Sequence, residues 1–183
     1  MKNANSAEVR YTRVAIAFHW ILAALILLNF VLVWTAEDAS DAVKQQLMGI
    51  HFANGLLILV LTVLRIIWRL VNPAPPYVET LQTWEVALAK VINVLFYFLM
   101  IAIPFTGWAM VSAASGGHSI GFFGLFGFPG LPFSKDRDTA GVFHEVHEVF
   151  AIAMLALFAL HVAAALKHQL IDHDGTMRRM LPW

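Results

Sequence analysis

The run at residues 143–168, FHEVHEVFAIAMLALFALHVAAALKH, constrains this chain most: it is apolar for long enough to cross a bilayer and yet holds histidine. His147 stands near its start and His161 well inside it, 14 residues on. That spacing is close to four helical turns, so both imidazoles share one face and lie roughly 21 Å apart along the axis. An ionisable group inside a membrane is costly, tends to face the bundle interior and marks a functional site. One helix therefore offers two ligand-type side chains at two depths.

Composition agrees with a membrane protein. The 183 residues are 60% hydrophobic and 13% charged, against about 25% charged in a soluble domain. With no cysteine, disulfides, iron–sulfur clusters, thiolate metal sites and c-type haem attachment are excluded together. Zero net charge argues against nucleic acid as a partner. The expected fold is an all-α integral membrane four-helix bundle in the lipid bilayer, a single domain over residues 1–183.

Four spans are expected, at about residues 14–35, 47–70, 85–110 and 142–168. The first follows a short polar arm with Lys2, Arg10 and Arg13; it is too long for a signal-peptide core, lacks a small-residue cleavage site, and reads as a retained helix carrying His19. An acidic loop at 37–46 precedes the second, which holds His51 early and Arg65 late. Prolines after Asn72 end it. The third has no histidine and is expected to kink at Pro104. Residues 112–140, rich in Gly, Phe and Pro, are too broken to span and are expected to form an interfacial loop over the bundle mouth. Trp20, Trp34, Trp68 and Trp108 suit interfacial positions.

If the spans alternate, nine Lys and Arg fall on the side of the termini and three, Lys44, Lys135 and Arg137, on the other. The positive-inside rule then puts both termini in the cytoplasm. Depth pairs His19 with His161 and His51 with His147. Two imidazoles facing each other between helices suit haem iron, filling both axial positions. Zinc usually takes three or four protein ligands, and each pair supplies two. Arg65 lies 14 residues after His51, on the same face at the depth of the other pair, where a haem propionate is a suitable partner. Gly55 and Ala165, each four residues after a histidine, leave room for a flat macrocycle. His144 is a rival to His147 and His168 to His161; His118 and His173 read as solvated.

Several motifs carry a family resemblance: FHW in the first span, IHFANG opening the second, LRIIWRLVNPAPP at its end, HE and ALHVAAALKH in the fourth, and RRMLP near the C-terminus. Together they resemble the prokaryotic cytochrome b561 family over nearly the whole chain. The resemblance implies a multi-pass bacterial inner-membrane cytochrome with two b-type haems, ligated at His19, His51, His147 and His161, and it favours His147 over His144. It also implies oxidation of superoxide, or of another periplasmic donor such as a redox partner protein, with ubiquinone as acceptor. Lys135 and Arg137, interleaved with Asp136 and Asp138, are the candidates for attracting superoxide.

Two further readings belong to other classes. Related subunits serve hydrogenases and other dehydrogenases, so the chain would be a membrane anchor and electron conduit for a partner enzyme. Alternatively, the histidines would form a haem-free proton relay or transporter.

Overall fold

The computed structural model describes residues 10–182; Lys2, which entered the charge count, lies outside them. Three of the four long helices start where a local side chain satisfies a free amide. Helix α1 (Arg13–Glu37) is capped by Thr12, whose Oγ1 accepts from the Ala15 amide at 3.2 Å. Trp68 Nε1 donates to the same hydroxyl oxygen at 3.1 Å, which pins the start of α1 to the end of α2. Helix α2 (Asp41–Val71) follows Ser40 and places Asp41 in its first turn, where negative charge suits the helix dipole. Helix α3 (Thr83–Ser115) opens with a capping box, the Gln82 amide donating to Glu85 Oε2 at 3.0 Å. Helix α4 (Arg137–Lys167) is capped by Asp136, which accepts from the Asp138 amide at 3.1 Å.

All four helices are long and apolar enough to cross a membrane. They begin earlier or end later than the sequence suggests. Residues 41–46, expected in a loop, form the first turns of α2, because Ser40 and Asp41 start the helix ahead of the apolar run. Helix α3 continues through Pro104 to Ser115, where Gly116 (φ 73°) and Gly117 (φ 78°) take the left-handed conformations that end it.

The segment between α3 and α4 is more ordered than the loop expected there. It contains an antiparallel hairpin, β1 (Ile120–Phe122) and β2 (Phe126–Phe128), with Ile120 opposite Phe128. Pairing satisfies backbone groups that would be expensive to leave open beside hydrocarbon. The hairpin is tied to α3 by Trp108 Nε1 donating to the Pro129 carbonyl at 3.0 Å and by the Leu131 amide donating to Ser112 Oγ at 3.0 Å. The chain just after β2 passes so close that a Cβ on Gly130 would lie 2.5 Å from the Gly117 carbonyl oxygen, so only glycine fits.

Helices α1 and α2 pack along each other, as do α3 and α4, with α2 joined to α3; the backbone of α4 stays farther from those of α1 and α2, which it meets through side chains. Within α4 only Met154 is fully buried. Met154 belongs to a mid-bundle core with Leu22, Ile58, Leu99 and Met100. It lies seven residues from both His147 and His161, so dry packed side chains separate the two histidine levels. At the other end, residues 179–180 pack against α1 and the connection after α2. Trp20 Nε1 donates to the Met180 carbonyl at 2.7 Å, and Arg179 Nη1 to that of Pro76 at 2.5 Å.

Candidate functional site: two histidine pairs

The four histidines expected to meet do so in the expected pairs. His19 of α1 faces His161 of α4 with ring centroids 6.2 Å apart, and His51 of α2 faces His147 of α4, also at 6.2 Å. A metal ion held at about 2 Å by each of two opposed imidazole nitrogens sets ring centroids roughly 6 Å apart. Both pairs meet that spacing. Both pairs also join α4 to α1 or α2, helices whose backbones lie farther from it than that of α3. The residues therefore fit iron porphyrin held by two imidazoles.

Local contacts fix the rings at the first pair. His147 Nδ1 donates to the Ile103 carbonyl at 2.9 Å, and Thr106 Oγ1 lies 3.2 Å from the same nitrogen. His51 Nδ1 donates over a longer 3.3 Å to the Asn29 carbonyl. With Nδ1 engaged in this way, Nε2 is left as the free lone pair, the usual arrangement for a metal-binding imidazole. Asn54, 1% exposed, holds Asn29 in turn: its amide donates to Asn29 Oδ1 at 2.7 Å and to the Leu25 carbonyl at 2.9 Å. Close approach of α3 to His147 depends on Gly107, since a Cβ there would lie 3.2 Å from His147 Cε1.

The second pair is set differently. His19 and His161 make no Nδ1 hydrogen bond among the described residues. Trp20 packs edge-on against His19 with centroids 5.4 Å apart, and Phe96 against His161 at 5.3 Å. Arg65 reaches this level, as its spacing from His51 suggests: it packs against Tyr97, whose neighbour Phe96 packs on His161. Its Nε donates to the Tyr97 hydroxyl at 3.3 Å, and its guanidinium carbon stands 5.6 Å from the Tyr97 ring centroid. Thr62, one turn before Arg65, is fully buried with a hydroxyl that has no partner among the described residues. A buried hydroxyl and a guanidinium on one face fit the carboxylate of a bound group.

The rival histidines point elsewhere. His144 is exposed on α4, one turn before His147. His168 opens a π-helical turn, with Nδ1 held by Asp174 Oδ2 at 2.7 Å and Asp172 Oδ2 at 3.0 Å. His118 Nδ1 donates to the Ser115 carbonyl at 2.6 Å. Glu145 and Glu148 are exposed and complete no metal cage with His147. The carboxylates nearest to a cage, Glu85 and Asp172 beside His168, are already bridged by Lys167 Nζ at 3.1 and 2.6 Å. Sequence reasoning missed Asn29, Asn54, Tyr97, Thr106 and Gly107. Asn54 lies in the quoted IHFANG run, and a polar side chain so deep in an apolar span was a readable signal.

The sequence profile of the prokaryotic cytochrome b561 family matches residues 10–183. Cytochrome b561 homolog 2 of Escherichia coli K12 is 30% identical over 99% of this chain and 95% of its own length. The probable superoxide oxidase CybB of Yersinia pestis is 30% identical over 94% of this chain and 96% of its own. Cytochrome b562 of Cereibacter sphaeroides is 31% identical over 95% and 96%.

Proposed function

Given that the chain belongs to the prokaryotic cytochrome b561 family, and is thus a bacterial multi-pass membrane b-type cytochrome that transfers electrons, we propose that it holds two haems. His19 and His161 ligate one, and His51 and His147 the other. The carrying observation is that two pairs on separate levels of one helix share the same 6.2 Å ring separation.

Bound haem supplies one-electron storage. The protein does the rest. Each imidazole pair would hold one haem iron from both sides and so keep oxygen and substrate off the metal. The apolar layer around Leu22 and Met154 separates the two levels, and Arg65 and Thr62 would receive a carboxylate of the group held by His19 and His161.

The excess of Lys and Arg at the end that carries the termini supports a cytoplasmic location for that end and a periplasmic one for the hairpin. Superoxide is the donor that the name of the Yersinia pestis relative suggests, and Lys135 and Arg137 stand on the periplasmic side to attract it. Two superoxide anions each give up one electron and leave as dioxygen. Ubiquinone takes both electrons with two protons and leaves as ubiquinol.

Pyridine haemochrome analysis of the purified chain, followed by stopped-flow mixing with superoxide with and without ubiquinone, tests this reading. Two haems per chain, reduced by superoxide and reoxidised by quinone, are expected. Absence of haem absorbance favours a proton relay instead. Reduction only when a dehydrogenase is added favours the anchor subunit.

A further inference from the structure

Resting on the two-haem reading, the contrast between the pairs carries one step more. His147 donates its Nδ1 proton to the Ile103 carbonyl at 2.9 Å with Thr106 Oγ1 at 3.2 Å, and His51 donates to the Asn29 carbonyl. The Thr106 hydroxyl proton has its own acceptor one turn back, the Ala102 carbonyl at 2.9 Å, which leaves the oxygen free to accept from His147. An imidazole that donates from Nδ1 becomes a stronger electron donor at Nε2 and favours the oxidised metal. His19 and His161 have no such bonds among the described residues, and Arg65 stands at their level, its guanidinium carbon 5.6 Å from the ring of Tyr97, whose neighbour Phe96 packs on His161 at 5.3 Å. A positive charge in a dry surrounding favours the state with the extra electron. Both effects act in the same direction.

We propose that Thr106, and Asn54 through Asn29, are positioning residues that lower the reduction potential of the His51/His147 level, while Arg65 raises that of the His19/His161 level. The hydrogen-bonding pattern thus sets a downhill direction for electrons, from the hairpin end of the bundle to the end that carries the termini. The gradient is built from groups on α1, α2 and α3 that touch neither donor nor acceptor.

The test is a potentiometric titration of the full-length holoprotein in lipid nanodiscs, with electron paramagnetic resonance to follow the two ferric signals separately. Two distinct potentials are expected in the parent protein. Thr106→Val should raise only the lower one, and Thr106→Ser should restore it. Arg65→Gln should lower only the higher one. Each shift is severalfold in the electron distribution between levels. A Thr106→Val variant that loses haem is replaced by Asn54→Asp, which should disturb the signal of the same level alone. Equal potentials in the parent, or substitutions that move both potentials together or neither, overturn the inference while the two-haem reading stands. One haem per chain by pyridine haemochrome overturns both.

Discussion

Gly107 of α3 lies against the imidazole of His147: a Cβ at that position would stand 3.2 Å from Cε1 and 3.3 Å from Nδ1. The ring keeps its place, and its bond to the Ile103 carbonyl, because that position carries only hydrogen. Gly107→Ala should therefore push His147 away from α3. The expected result is weakened haem binding at the His51/His147 level with unchanged helix content, measured by haem per chain and far-UV circular dichroism.

Alanine substitutions separate ligands from bystanders. His51→Ala or His147→Ala should remove about half of the bound haem, and His19→Ala or His161→Ala the other half, since losing one of two axial imidazoles opens the site. His144→Ala and His168→Ala should leave haem content intact, because one is exposed and the other is engaged with Asp172 and Asp174. Pyridine haemochrome assays on the six variants make the check.

Asn54 is a stability determinant as well as a positioning one. Replacing it with alanine leaves the Leu25 carbonyl and Asn29 Oδ1 without their donor in an apolar surrounding. Interhelical hydrogen bonds in membrane proteins contribute about 1 kcal/mol each, so Asn54→Ala should lower the midpoint of thermal unfolding in detergent. A midpoint equal to that of the parent would show that the pair of bonds has no net worth.

Acid should loosen the C-terminal tail first. Burial pushes the Asp174 carboxyl up, but the Thr176 amide, which donates to it at 2.8 Å, and His168 outweigh it, and its pKa falls below the ordinary aspartate value of 3.8. A carboxyl depressed on folding contributes stability that is fully present above its unfolded value and is lost as pH falls through the folded one. The window therefore opens near pH 3.8 and extends downward. Hydrogen exchange of residues 168–180 should rise across that window in the parent, and Asp174→Asn should flatten the dependence.

Much of the site was legible in the residues alone. A span is a local property of composition, and the 14-residue intervals from His147 to His161 and from His51 to Arg65 put each pair of groups on one helix face wherever the helices lie. Paired depths follow from alternation of the spans. Less legible was anything set by contact between spans. The bond from His147 to Ile103 joins residues 44 apart in sequence, and that from Arg65 to Tyr97 joins residues 32 apart. The 112–140 segment escaped for another reason: its three-residue strands are too short for periodicity to register, and tertiary contacts with Trp108 and Ser112 hold them.

By itself the sequence determined a four-helix membrane bundle with imidazoles at two depths, because hydrophobic length and helical period act within each segment. Only the tertiary structure decided that one pair is hydrogen-bonded while the other packs among Trp20, Phe96 and Tyr97 beside Arg65, and that Gly107 makes the room for His147. Those outcomes depend on the rotation and separation of helices packed against one another, and no single segment contains that information.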